Sequence, residues 1–146
     1  VLAHIGSSLS AMGRFGEAES YFRRALKGLD DPVTHFNLAL LLALTNRPEE
    51  AVTEYERALE RDPMHSNART NLAAALARQG KLDRAARELK FLLEHDPENA
   101  GARTNLGLVL LQQGRLADAK GQFEEALRLD PGLAPARDAL ESIRHP

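Results

Sequence analysis

Three asparagines recur at a constant interval in this sequence, and their side chains have a defined hydrogen-bonding chemistry. They are Asn37, Asn71 and Asn105. A carboxamide carries an acceptor oxygen and a donor NH₂ group, so it can pair with both backbone groups of another chain without selecting a side chain. The recurrence indicates a row of equivalent polar groups, provided that the elements carrying them repeat at the same interval.

The titratable side chains do not form a catalytic or metal-binding pattern. The five histidines are never three or four positions apart, so no pair of them is placed to ligate a metal from one helix. His35, His65 and His95 also recur evenly, but at a shorter interval than the asparagines, and this is interpreted as coincidence. Glutamates and arginines mixed over residues 49–61 are typical of a solvated helix face. Phosphate-binding glycine loops and a nucleophile-elbow serine are also absent. We therefore predict no enzyme and no cofactor.

The elements that must position the asparagines repeat with the same period. Residues 68–72, Ala-Arg-Thr-Asn-Leu, return at 102–106, and Asp-Pro pairs begin at positions 62, 96 and 130. A fixed period of about 34 residues is typical of stacked supersecondary units. Apolar residues at helical spacing, interrupted once in each unit by a turn residue, predict two helices per unit. The turn residues are Gly13, Asn46, Gly80 and Gly114.

These patterns predict one all-α domain, an α-solenoid of four antiparallel helix pairs followed by a capping helix. The units cover residues 1–31, 32–65, 66–99 and 100–133, and the cap covers 134–146. Because the chain begins with a valine already inside a periodic pattern, we expect the first unit to be truncated at its start, in an excerpt from a longer protein.

Core positions follow from the same alignment of units. Leu72 and Leu106 are predicted to fill the space between helices. Small residues at equivalent places should let the two helices of a unit approach closely. They are Gly6, Ala39, Ala73 and Gly107 on the first helices, and Ala18, Ala51, Ala85 and Ala119 on the second.

Composition excludes several classes of protein. The chain is 43% hydrophobic and 27% charged, as in ordinary soluble proteins, and its net charge of −2 argues against a nucleic-acid ligand. The longest apolar run, residues 38–44, is far shorter than the roughly 20 residues of a membrane helix, so we expect no membrane insertion. The absence of cysteine leaves the compartment open. We expect a cytoplasmic protein, with the periplasm as the alternative.

At the level of individual residues the units resemble the tetratricopeptide repeat. The third unit matches its signature with Leu72, Ala73, Leu76, Ala85, Leu89 and Pro97, and the fourth with Leu106, Gly107, Leu110, Ala119, Phe123 and Pro131. His35, Arg69 and Arg103 replace the first aromatic residue of the family, and we expect the two arginine stems to cover a seam between helices. The resemblance implies a right-handed superhelix whose first helices line a concave groove. It also implies a protein or peptide partner rather than catalysis.

The groove face can be assigned because residues four and seven apart share one side of a helix. Asn37, Asn71 and Asn105 fall on that side. By resemblance to family members with an asparagine ladder, this row is expected to bind the backbone of an extended peptide. The neighbours expected to supply specificity are Asn67, Thr70, Thr104, Arg78, Gln112, Phe36, Leu40, Leu44 and Leu108. The alternative is that the asparagines are neutral residues copied by duplication.

One ligand class of the family is disfavoured. The carboxylate-clamp members, which bind the acidic C-terminal tails of chaperones, need lysines and arginines on the groove face. Here the only cation on that face is Arg78, beside residues such as Ser7 and Thr104. We therefore argue against chaperone tails as partners.

Two further functions remain open. The first helix of the second unit is apolar on nearly every side, which fits a pocket for a ligand side chain, packing against preceding sequence, or self-association into a homo-oligomer. The chain is alternatively the substrate-recruiting arm of a larger enzyme, such as a glycosyltransferase.

Overall fold

A computed structural model describes residues 1–145 and shows nine α-helices, without strands, in that range. The helices are α1 (Leu2–Ala11), α2 (Phe15–Gly28), α3 (Pro32–Leu44), α4 (Pro48–Arg61), α5 (Ser66–Arg78), α6 (Leu82–His95), α7 (Ala100–Gln112), α8 (Leu116–Leu129) and α9 (Ala134–Arg144). The predicted all-α solenoid class is confirmed. Odd-numbered helices up to α7 are the first helices of their pairs, and even-numbered helices are the second.

The helix boundaries follow from residues that start or stop a helix. The Asp31 carboxylate accepts a hydrogen bond of 2.8 Å from Thr34 N, and the Asn99 carboxamide oxygen accepts one of 2.9 Å from Ala102 N, so both cap their helices. The predicted turn residues are confirmed, since the three glycines have φ near +75° and Asn46 has φ of +60°. Glycine and asparagine adopt this region at the lowest cost.

The helices fall into two compact units, each about as long as two of the sequence repeats. The first unit is Val1–Ala68 and the second is Arg69–Pro146, and the division lies within α5. In the first unit, α1 packs on α2, α2 on α3, and α3 on α4. In the second unit, α6 packs on α7, α7 on α8, and α8 on α9. Each helix is short enough to be marginal alone in water, so its stability depends on these neighbours.

The predicted core leucines and small residues are buried, and the small residues have a specific partner. Leu72 and Leu106 are almost fully buried. Each small residue of a first helix has a large side chain of the second helix at the same separation along the sequence. The pairs are Gly6 with Phe22, Ala39 with Tyr55, Ala73 with Leu89, and Gly107 with Phe123. A methyl group built at Gly107 would lie 2.5 Å from Phe123 Cε1, and one at Gly6 would lie 2.8 Å from Phe22 Cε1. The glycines therefore make room for a phenylalanine ring.

Replacing Gly107 by alanine should lower the free energy of unfolding by about 1–3 kcal/mol, because the new methyl group overlaps the buried Phe123 ring. Adding Phe123→Leu should recover part of the loss, since that double variant reproduces the pair formed by Ala73 and Leu89. Urea denaturation followed by circular dichroism measures both. Gly121→Ala on α8 is the control, because it meets open space and should not destabilise. Equal stability of the Gly107 variant and the parent would refute the overlap.

Candidate functional site

Acidic residues are distributed unevenly between the two sets of helices. The first helices α1, α3, α5 and α7 contain no aspartate or glutamate, whereas every second helix contains at least two. Within either compact unit, the surface that the first helices present therefore carries no negative side chain from those helices. A neutral or acidic group is favoured beside such a surface over a basic one.

In the second unit, α5 and α7 form a small open cavity that contains four of the predicted site residues. Its volume is about 170 Å³. Its lining consists of Ala73, Ala74, Ala77, Arg78, Leu89, Asn105, Leu108, Val109 and Gln112. Apolar side chains form most of the wall and polar groups stand among them, which is the usual composition of a ligand pocket. The structure thus brings Arg78, Asn105, Leu108 and Gln112 together.

The asparagines are partly accessible. Asn37 on α3, Asn71 on α5 and Asn105 on α7 are all half-buried. Within residues 1–145, the carboxamides of Asn37 and Asn105 form no hydrogen bond with another residue of the chain. A half-buried amide without an internal partner retains its donor and acceptor capacity for a ligand. Also on α5, Asn67 is exposed and Thr70 is half-buried.

Two predicted site residues are placed differently from the expectation. Thr104 is only 4% exposed, and its hydroxyl donates a hydrogen bond of 2.9 Å to the Ala100 carbonyl. The Phe36 ring is half-buried and packs against the rings of Tyr55 and His65, with centroids 6.0 and 4.8 Å away. Thr104 sits one residue before Asn105, which turns it about 100° around the helix and into the core. Thr104 therefore offers no free contact surface, and part of the Phe36 ring is covered by its neighbours.

The apolar helix α3 in the first unit is mostly a core helix. Leu38, Leu41 and Leu42 are almost completely buried, and Leu40 is half-buried. Leu44 at the end of the helix is 69% exposed. Burial accounts for the apolar character of most of this helix, and large apolar side chains reach solvent only near its two ends, at Val33 and Leu44.

The seam predicted for Arg69 and Arg103 is confirmed. The Arg69 guanidinium pairs with Glu88 and lies over the Phe91 ring, 3.9 Å from its centroid. Arg103 Nη1 donates a hydrogen bond of 3.4 Å to Gln122 Oε1, and its Nη2 donates one of 2.8 Å to the Pro97 carbonyl. Both arginines therefore join a first helix to the second helix of the same pair.

At the equivalent place in the first unit, His35 belongs to a polar cluster that the sequence did not predict. His35 and Glu54 are buried in it, and the other members are about half exposed. His35 Nδ1 lies 2.6 Å from Glu54 Oε2, and Nε2 lies 2.7 Å from Asp30 Oδ1. Arg57 Nη1 donates a 2.7 Å hydrogen bond to Glu54, and Arg61 Nε donates one of 2.8 Å to Asp30. The hydrogen bond from His35, and after it that from Arg61, holds the pKa of Asp30 below its usual value.

This cluster had a signal in the sequence. The separation between His35 and Glu54 is the same as that between Arg69 and Glu88 and between Arg103 and Gln122. In three of the repeats, therefore, a histidine or arginine nitrogen on the first helix lies opposite a side-chain oxygen on the second helix, at the same separation along the sequence. The cluster borders an open cavity of about 440 Å³ in the first unit, and its own members are hydrogen-bonded to one another.

Within residues 1–145, no group of three histidine, aspartate or glutamate side chains is arranged to hold a metal ion. None of the helices in this range combines the length and apolarity that a membrane crossing requires.

Comparison with known proteins identifies the repeat. The sequence model of the tetratricopeptide repeat matches residues 5–63, 36–89 and 70–134. Among curated protein sequences, none is similar enough to be matched to this chain.

Several solved structures share the fold. The crystal structure of MamA is 21% identical, with a TM-score of 0.88 over 95% of this chain and 82% of its own. YrrB, described as a TPR protein with an unusual peptide-binding site, is 25% identical, with a TM-score of 0.85 over 93% of this chain and 71% of its own. PilF of Pseudomonas aeruginosa is 26% identical, with a TM-score of 0.85 over 97% of this chain and 65% of its own.

Proposed function

This chain belongs to the tetratricopeptide repeat family of protein-interaction scaffolds, and we propose that it binds an extended peptide segment of a partner protein without catalysing a reaction. We assign the binding face to the first helices, the helices that line the groove in the family. In the second unit it comprises Asn71 on α5 and Asn105 on α7. Asn37 has the equivalent place on α3 in the first unit and has the same proposed role.

The observation that carries this proposal is the environment of Asn105. Its carboxamide has no hydrogen-bond partner among residues 1–145, is half-buried, and stands at the wall of an open, mostly apolar cavity. A peptide backbone offers one donor and one acceptor per residue, which a carboxamide can satisfy together. The peptide-binding site described for YrrB, a protein of the same fold, supports the ligand class.

Each such hydrogen bond contributes only about 0.5–1.5 kcal/mol. The asparagines therefore supply modest affinity that does not depend on ligand sequence, and neighbouring side chains must supply specificity. We leave Thr104 and Phe36 out of the proposed surface, since both are used inside the protein. Arg78, Leu108 and Gln112 remain in it.

Replacing Asn71 and Asn105 together by alanine should weaken peptide binding by roughly 5- to 100-fold, from the loss of two backbone-directed hydrogen bonds. The probe is a fluorescent peptide selected on the parent protein from a phage-displayed library of random sequences, and fluorescence anisotropy measures its affinity. The single variant Asn105→Ala should leave the melting curve by circular dichroism nearly unchanged, because Asn105 stabilises no other residue of the range 1–145 through a side-chain hydrogen bond.

The matched control is the double variant Lys120→Ala and Glu124→Ala on α8, two exposed residues of a second helix. It should bind the selected peptide as the parent does. The proposal fails if the asparagine variant binds with unchanged affinity, or if the library yields no binding peptide.

A second candidate function is self-association through the first unit. Val33 and Leu44 on α3 are both large, apolar and more than half exposed. The two residues are eleven positions apart and so lie on nearly the same side of α3, and apolar surface that is contiguous and exposed marks sites of protein–protein contact. Molar mass by light scattering, measured at increasing concentration, separates this function from peptide binding by a monomer.

A further inference from the structure

The cavity between α5 and α7 exists because one repeat position carries a smaller residue than its equivalents. Leu40, Ala74 and Leu108 occupy the same place in successive repeats, one repeat length apart. Ala74 is exposed and lines the cavity together with Ala73 and Ala77. A leucine at position 74 would occupy much of this space. The third repeat therefore has a recess at the place where the second and fourth repeats have a leucine side chain.

The size of the recess limits what it can hold. Cavities of roughly 150 Å³ lined by apolar side chains accept a group as large as benzene. At about 170 Å³, this one accommodates the side chain of leucine, isoleucine or methionine. Leu89, Leu108 and Val109 would contact such a group.

An uncompensated cation stands at the edge of the same recess. Arg78 is exposed, and within residues 1–145 its guanidinium makes neither an ion pair nor a hydrogen bond. Neither α5 nor α7 carries an acidic residue, and the only other wall residue, from α6, is Leu89. Most other arginines of the chain have a carboxylate partner on a second helix or in a loop. A carboxylate on the ligand would therefore complement the charge of the Arg78 guanidinium.

We propose that the peptide bound by this face carries an aliphatic side chain that enters the recess and an aspartate or glutamate side chain that pairs with Arg78. This inference rests on the proposed function, since it names the ligand of the same face. Alternate side chains of an extended chain project to the same side, about 7 Å apart. The aliphatic and the acidic residue are therefore expected two positions from each other, with the intervening backbone on the asparagines.

The test begins with the same peptide selection. Sequences enriched on the parent protein should share an aliphatic residue and an acidic residue two positions away. In a synthetic copy of an enriched peptide, exchanging the aliphatic residue for alanine should lower affinity by about 10- to 100-fold. Exchanging the acidic residue for its amide should lower it by about 2- to 5-fold, as expected for an exposed ion pair. Amidation of the peptide C-terminus should have no effect, because the carboxylate belongs to an internal side chain.

Two protein variants test the recess and the cation separately. Ala74→Leu introduces, at an exposed position, the residue that the neighbouring repeats carry, so the fold should persist. The affinity of this variant for the enriched peptide should be about 10-fold or more below that of the parent protein. The alanine-exchanged peptide should bind this variant and the parent equally. Arg78→Glu should remove the preference for an acidic residue in the peptide and create a preference for lysine at the same peptide position. Lys120→Glu, on α8, is the control and should leave both preferences unchanged.

The outcomes distinguish this inference from the function on which it rests. Enriched peptides that depend on Asn71 and Asn105 but lack the aliphatic and acidic preference would overturn the inference and leave the proposed function in place. A requirement for a free C-terminal carboxylate would also overturn it. Absence of peptide binding, or binding that ignores the asparagines, would overturn both.

Discussion

Shortening Leu106 to alanine should lower the free energy of unfolding by about 2–5 kcal/mol. Leu106 is 3% exposed on α7, next to the glycine that admits the Phe123 ring, so the removed atoms leave a space that rigid neighbours cannot fill. Leu72→Ala on α5 removes the equivalent side chain, which is 2% exposed, and should have an effect in the same range. Urea denaturation followed by circular dichroism is the measurement.

The same helix offers a matched control. Leu108 lies two positions after Leu106 and is 37% exposed. Its truncation removes the same atoms from a partly hydrated site, so the cost should be well below that of Leu106→Ala. Equal losses for Leu106 and Leu108 would mean that α7 does not bury the predicted side.

Replacing His35 by alanine should destabilise the protein by about 1–3 kcal/mol, the usual cost of depriving a buried polar group of a hydrogen-bond partner. The substitution deprives Glu54 of a 2.6 Å contact in a place where its side chain is only 6% exposed, and it also removes the contact with Asp30. Arg57 would still pair with Glu54. Thermal and urea denaturation at neutral pH measure the loss.

Two further variants make this prediction specific. His35→Arg introduces the residue found at the equivalent positions 69 and 103, where it reaches the second helix of its pair, and should cost less than alanine. Glu60→Ala on the exposed side of α4 should change stability by less than about 1 kcal/mol, since its pair with Arg61 is solvated. If His35→Ala proved as mild as Glu60→Ala, the cluster would have no stabilising role.

The helices and their ends could be predicted because local rules determine them. Glycine or asparagine stands at each turn where φ is positive, and apolar residues recur at the spacing of a helix. Within the candidate site, the same periodicity assigned Arg78, Asn105, Leu108 and Gln112 to the first-helix face, and these four side chains line one cavity.

The surroundings of Thr104 and Phe36 could not be predicted from periodicity. Thr104 was assigned to the binding face as a neighbour of Asn105, yet the helix turns it into the core, where a backbone carbonyl satisfies its hydroxyl. Phe36 was assigned to the same face because the whole of α3 is apolar. Its ring instead contacts Tyr55 of α4 and His65 of the following loop. Both cases arise because a pattern gives a residue's angle around its helix but not which neighbour covers that angle.

By itself the sequence determined the repeat, the helix pairs, the turn residues and the buried leucines, because each depends on residues within one or two helical turns or on a fixed period. Tertiary structure decided the rest. It made His35 the buried centre of a polar cluster, and it showed that Ala74 opens a recess beside a cation that lacks an ion pair within residues 1–145. Those features depend on which side chains of different helices are in contact, and only the packing of the helices in three dimensions determines these contacts.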